Sequence, residues 1–445
     1  MKRVDVEIVA KETIKPTSST DLPRTYTLSC LDQIAVDAYI PFVLFLPNNN
    51  TSRGGIITDD VVSKRSKLLK ETLPAILSRF YPFVGKLKDN VVIEGNSEGG
   101  VFYVEARVKQ TLEEFLCHPD DDKIRELLPE KPHINESWMG NNYAIGVQVN
   151  IFGCGGIGLS MVLSHKIIDF QTYMIFMKAW AAAVKGEPET ISPSFVASDV
   201  FPSDPNLLLS HKPRKSSQLF STKRFVFDST VLAILKSQPV ANNTSRGPTR
   251  MEATTALIWK AAAKASSEVK AFNQQSPYVM LSVVNIRKRS SPPLPENSIG
   301  NLFTPAVALC FPTSKPDLPT LIGELRDSIA KENSEKIESM KGENGLKMIK
   351  ESFKHQMDAI SETEYVMVTT SVLNMGIYDL DFGWGKPVWF YYINPSMTSR
   401  LLVLIDTPQG DVGVEAIVTL TSDEMEIFQC DTELLSYATL NPCPL

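Results

Sequence analysis

No two cysteines of this chain stand close enough in sequence to suggest a metal grip. The six, at Cys30, Cys117, Cys154, Cys310, Cys430 and Cys443, include no CxxC pair and have no histidine at ligand spacing. That argues against a zinc site and against the disulfide framework of a small secreted domain. Long apolar runs are missing too, since no stretch reaches the roughly 18 residues of a membrane span. Met1-Lys2-Arg3-Val4-Asp5 leads into charged alternation rather than a signal-peptide core. There is no basic stripe either: lysine and arginine are scattered and the net charge is −6, which argues against nucleic acid as a partner. The expectation is a soluble, cytoplasmic, monomeric protein with no metal and no membrane contact.

What is present is enough chain for two cores. The 445 residues are 43% apolar, and single domains commonly run to about 100–200 residues. Two α/β domains are expected, over 1–185 and 223–445, joined by a Pro- and Ser-rich linker at 186–222 with no sustained period. Alternation over Val4–Ile14 and apolar bulk over Ala38–Pro47 predict strands, and the face Leu68, Leu69, Leu73, Ile76, Leu77 predicts a helix over Asp59–Phe80. Short alternating runs at Val91–Glu94 and Val101–Ala106 predict a hairpin. Tyr278–Asn285 reads as a buried strand, Leu318–Lys331 and Leu346–Ile360 as amphipathic helices, and Leu401–Ile405 with Val412–Leu420 as an antiparallel pair before a helix capped by Ser422.

The chain is organised around Leu159–Trp180. A buried strand over Leu159–Leu163 ends at Ser164, His165 follows, and Asp169 is placed to cap a helix through Trp180. Histidine titrates near neutrality, so a neutral imidazole held there can take a proton from an attacking alcohol or amine. Two jobs are open to Asp169: orienting the imidazole directly, or capping the helix and pairing with a cation elsewhere. The sharp turn between strand and helix favours the second. Gly153-Cys154-Gly155-Gly156-Ile157-Gly158 satisfies G-x-G-x-x-G literally, but a strand follows it where a dinucleotide site needs a helix. The glycines are therefore read as a hairpin turn feeding His165, and Cys154 as a small buried thiol rather than a nucleophile.

In the second half, Thr249 and Glu252 have the spacing of a capping box. Ser245, Arg246 and Arg250 surround that helix start, which is either an anion site or a set of solvated surface charges. Arg287, at the end of the strand Tyr278–Asn285, is a candidate partner for a buried carboxylate. Asp379–Pro387 packs two acids, two aromatics and two glycines into one loop.

His165-Lys166-Ile167-Ile168-Asp169 and Asp381-Phe382-Gly383-Trp384-Gly385 resemble the paired HxxxD and DFGWG motifs of the plant BAHD acyl-CoA-dependent acyltransferases. Leu31-Asp32-Gln33, Asn285–Arg289 with Pro292–Pro295, and Gly413–Ala416 are similar as well. The N-terminal third most resembles the alkaloid-acetylating branch. The resemblance implies two chloramphenicol-acetyltransferase-like domains with mixed sheets flanked by helices, and a channel at their interface with His165 in its middle. It also implies that His165 is the base, that Asp169 points away into a salt bridge, and that the DFGWG loop with Trp384 is structural, Asp381 pairing with Arg287. An acyl-CoA, expected to be acetyl-CoA, would be the co-substrate, with the phosphates of its CoA held near Ser245, Arg246, Thr249 and Arg250. A hydroxyl of a plant alkaloid or terpenoid would be the acceptor.

Three positions depart from the family pattern. A tryptophan, and an arginine two residues later, usually follow the Thr-Ser ahead of DFGWG; here Val372 and Asn374 follow Thr370-Ser371. Phe170 stands where a small residue commonly follows the aspartate. These changes leave room for a different donor, an amine acceptor, a rearrangement without acyl transfer, or a small-molecule binder that keeps the fold.

Overall fold

The computed structural model describes residues 4–17, 25–48, 59–95, 99–130, 143–187, 190–207, 218–240, 246–270, 276–311, 317–361, 363, 365–394, 399–408 and 412–445. Among the described residues, sixteen strands form three sheets. The first large sheet contains β1 (Val6–Ile14), β3 (Tyr39–Leu46), β6 (Val101–Val108), β7 (Ile145–Phe152), β8 (Ile157–Ser164) and β13 (Trp389–Tyr392), in the order β1-β6-β7-β8-β3-β13. A small sheet joins β2 (Thr25–Thr27), β5 (Val92–Glu94) and β4 (Lys86–Lys88). The second large sheet contains β9 (Phe220–Phe227), β10 (Tyr278–Asn285), β11 (Phe303–Cys310), β12 (Tyr365–Ser371), β14 (Arg400–Asp406), β15 (Val414–Thr421) and β16 (Thr439–Leu440), in the order β11-β10-β12-β14-β15-β9-β16. Both large sheets are mixed: β6 runs parallel to β7, and β12 parallel to β10 and β14, while the other pairings are antiparallel.

The elements follow from their sequences. Every residue of β8 is buried, which is why its run is apolar without alternation. The glycines ahead of it close the β7–β8 hairpin, with Gly155 at φ +76°. Asp169 accepts from the Thr172 amide and starts the helix Phe170–Val184, and Thr249 with Glu252 forms a reciprocal capping box on the helix Arg250–Val269. The last predicted cap is displaced by one residue: Thr421, boxed with Glu424, caps Ser422–Phe428.

Two expectations change. The runs at 91–94 and 101–106 are strands but not partners. Three-residue β5 buries only Ile93 and lies between β2 and β4, whereas β6 buries five residues and sits between β1 and β7. The division of the chain at the linker is also crossed, because β13, from the C-terminal half, pairs with β3 and completes the first sheet. At this seam the Trp389 indole N–H donates to Glu415 of β15 (3.1 Å), and Arg224 lies over the Trp389 ring while pairing with Glu415 at 3.2 Å. The linker region itself carries a one-turn helix at Ala197–Val200 and a bridge from Ser194 to Ser298.

Candidate active site

A cavity of about 580 Å³ lies between the two large sheets. Ile40 and Phe42 of β3, Leu163 of β8, and Phe390 and Tyr392 of β13 line it from the first sheet. From the second come Val283 and Asn285 of β10, Val368, Thr370 and Ser371 of β12, and Leu401 and Val403 of β14. His165 faces it from the turn where β8 ends, its backbone N–H donating to the Ala38 carbonyl (2.8 Å).

Asn301 fixes the imidazole. Its Nδ2 donates to the His165 carbonyl (2.8 Å) and to Asp32 Oδ1 (3.0 Å), and its backbone N–H donates to the same Asp32 oxygen (2.6 Å). With the amide nitrogen committed to two acceptors, Oδ1 is the atom that faces His165 Nδ1 at 3.0 Å. A carbonyl oxygen can only accept, so Nδ1 carries the proton and Nε2 keeps its lone pair. Asp32 is fully buried and also accepts from the Ser29 amide and hydroxyl. Burial raises its pKa, and those hydrogen bonds oppose the rise.

Burial also pushes the His165 pKa below its ordinary value, with the charge of Lys166 acting in the same direction and that of Asp169 against it. Lys166 is itself buried and donates to the carbonyls of Gln33 (2.8 Å) and Ala35 (2.9 Å), at the end of the helix Cys30–Ile34 that carries Asp32. Desolvation brings its pKa down to about 8.

Asp169 turns away from the imidazole. Its two oxygens accept in parallel from Arg287 (2.8 and 3.1 Å), and it accepts as well from the amides of Thr172 and Leu302. Arg287, 4% exposed, also donates from Nε and Nη2 to the carbonyls of Ser298 and Gly300. The pairing of Arg287 with Asp381 is therefore corrected. Asp381 is half-exposed and accepts instead from the amides of Gly383 (2.8 Å) and Gly385 (3.2 Å), closing its own loop, whose glycines have φ +94° and +130°. Trp384 stacks on Phe382, which packs on Trp180, and Arg65 lies over the Trp384 ring. That loop supports the helix behind Asp169 and lines none of the cavity.

At the helix start at Thr249, expected from the sequence to hold an anion, several groups already have partners within the protein. Its capping box already takes the amides of Thr249 and Glu252. Arg250 is caged by Asp406 (3.0 Å), Asn374 Oδ1 (2.7 Å) and the carbonyls of Val412 and Gly413. Arg246, whose side chain is 68% exposed, reaches Glu252 at 3.4 Å. Ser245 lies outside the described residues. Cys154 is half-buried, receives the Leu112 amide on its sulfur (3.3 Å), and is not part of the cavity wall. Asp32 and Asn301 are the contributors that sequence reasoning did not single out as site residues.

The model of the Transferase family, the BAHD acyltransferases, matches residues 4–435. The chain belongs to this family. It is 35% identical to the limonoid 7-O-acetyltransferase of Citrus sinensis and 33% identical to the epi-neemfruitin B 7-O-acetyltransferase of Melia azedarach, in each case over 99% of this chain and 100% of the relative. The crystal structure of vinorine synthase, an enzyme of Rauvolfia serpentina, superposes with a TM-score of 0.81 at 30% identity, covering 99% of this chain and 100% of that one. The protein is thus a BAHD acyltransferase with the two-domain fold, and its departures acquire places. Val372 is a wall of the cavity. Asn374, at φ +60°, receives Arg250. Phe170 packs edge-on against Phe42 and Phe390 at the cavity's aromatic side.

Proposed function

We propose that this BAHD acyltransferase transfers an acetyl group from acetyl-CoA to a hydroxyl of a neutral, polycyclic plant metabolite, with His165 as general base. The observation that carries the reading is the clasp of Asn301 on Nδ1, which leaves Nε2 free beside a largely apolar cavity. An acceptor hydroxyl donates to Nε2. As its oxygen attacks the thioester carbonyl, the C–O bond forms and the proton passes to Nε2. Collapse of the tetrahedral centre breaks the C–S bond, the proton moves from Nε2 to the CoA sulfur, and the Nδ1–H form is restored. Meanwhile Asn301 Oδ1 supports the transient imidazolium through Nδ1–H.

Charge favours a neutral acceptor. Among the described lining residues the one carboxylate is Asp169, and Arg287 already neutralises it. Nearby Asp37 acts on Lys166. An ammonium carried into this space would lose its hydration without a free counterion. The cavity volume suits a drug-sized ligand, and limonoid O-acetyltransferases stand among the relatives.

Release of CoA thiol, measured across donors and a panel of neutral and amine-bearing plant alcohols, tests the reading. The expected result is turnover with acetyl-CoA and neutral polycyclic alcohols. No thiol release with any pair would identify a binder. A preference for protonated amines would overturn the charge argument.

A further inference from the structure

Beside the catalytic cavity lies a second, smaller one of about 110 Å³, and Phe303 is a wall of both. Phe303 is the first residue of β11, the edge strand of the second sheet, and follows Asn301 by two positions. Its ring centroid is 6.0 Å from that of His165. Behind it, Leu31, Ile34 and Ala35 form one side of the small pocket, and Met340, Ile349 and Phe353 another. Gln356 spans the strand edge, its amide 3.5 Å from the Pro305 carbonyl. Polar atoms are few in this pocket, and Lys336 on its rim is paired with Glu332.

We propose that Phe303 sets the length of the acyl group this enzyme transfers, by partitioning the catalytic cavity from an apolar side pocket that fits a chain of about four carbons. This rests on the acyl-transfer reading above. The proton being transferred lies within hydrogen-bond reach of the base, about 2.6–3.2 Å, so the reacting carbonyl carbon sits next to the imidazole. The acyl chain begins at that carbon. Phe303, flanking the same imidazole, stands in the path of a chain that grows toward β11. Size then identifies the occupant. A cavity of about 150 Å³ holds one benzene, so 110 Å³ holds roughly four or five heavy atoms. That is too little for a polycyclic acceptor or for the pantetheine arm of the donor, and enough for the tail of a butyryl or isovaleryl group.

The test is a donor-length series, acetyl-, propionyl-, butyryl- and hexanoyl-CoA, with one acceptor held fixed. The native enzyme should lose kcat/KM steeply beyond propionyl. Phe303→Ala should raise the butyryl-to-acetyl ratio of kcat/KM about tenfold, the worth of roughly two methylenes moved out of water, and hexanoyl should gain less than butyryl. Phe303→Leu, which keeps most of the apolar contact, should move the ratio part of the way and covers the case in which the alanine variant does not fold. Ala35→Leu added to Phe303→Ala refills the side pocket and should restore the native ratio. An unchanged ratio in both Phe303 variants, or a gain that follows acceptor bulk instead of donor length, overturns the proposal. A native enzyme inactive with every acyl-CoA would instead remove the acyl-transfer reading itself.

Discussion

Asn301 holds His165 at two points, accepting from the ring at Nδ1 and donating to the residue's own carbonyl, while Asp32 holds Asn301 from behind. The orientation and tautomer of the proposed base are therefore set by a neutral amide. A carboxylate in that position would raise the imidazole pKa; here burial lowers it.

The pH profile should show this. A base must be neutral to act, and a depressed pKa keeps it neutral to lower pH, so the acid limb of kcat/KM should fall below the ordinary histidine value of about 6.5. Asn301→Asp places an anion beside Nδ1, favours the imidazolium and should move that limb upward. Asn301→Ala should lower kcat, by up to the roughly 10⁴-fold seen when a catalytic histidine is left in the wrong tautomer. An acid limb at or above the ordinary value in the native enzyme, unmoved in Asn301→Asp, would remove His165 from the rate-limiting proton transfer.

The two motif aspartates should separate in denaturant titrations. Asp169→Ala strands a buried Arg287 and uncaps a helix, a loss on the order of 3–5 kcal/mol. Asp381→Ala removes two backbone hydrogen bonds from a half-exposed loop, worth about 1–3 kcal/mol, and Arg287 keeps its partner. Equal losses would mean that the DFGWG loop supports more of the fold than its contacts imply.

Much of this was legible in the chain. The apolar run to Leu163, the histidine after it and the cap at Asp169 are local patterns, and local patterns fix local structure. The choice between orienting the imidazole and capping the helix was also readable, because a strand-to-helix turn separates side chains four residues apart. What was not legible is the partner of Arg287. Asp169 and Asp381 are both acids in motifs, and only the insertion of Ser298–Leu302 between Asp32 and Asp169 decides between them. Asn301 was hidden for the same reason, its partners lying 136 and 269 residues away in sequence. A local sign of it was Gly300, at φ +118°, where a Cβ would come within 3.3 Å of both Asp32 oxygens. The placement of β13 is likewise a long-range matter, since its apolar pattern fits either sheet.

Arg250 offers a test of whether its role is structural or in the donor site. Its guanidinium ties Asp406, Asn374 and two carbonyls together with 15% of its side chain exposed. Arg250→Ala should cost about 1.5–3 kcal/mol, the range for charge-assisted hydrogen bonds, and leave the donor KM unchanged. A raised KM for acyl-CoA with unchanged stability would place this arginine in the donor site.

Val372 tests whether the cavity is the acceptor's space. The residue is 3% exposed, yet it lines the 580 Å³ volume, so a larger side chain there has empty room in front of it. In a packed core, added volume typically costs about 1–3 kcal/mol, whereas a side chain that grows into a cavity meets no neighbour. Val372→Trp, the residue usual in the family, should therefore fold with little change in melting temperature. It should raise KM or abolish turnover for a polycyclic alcohol while a small alcohol is still acylated, because the proposed base and its clasp are untouched. Loss of stability together with equal loss of both activities would show that Val372 is packed as core and that the acceptor lies elsewhere.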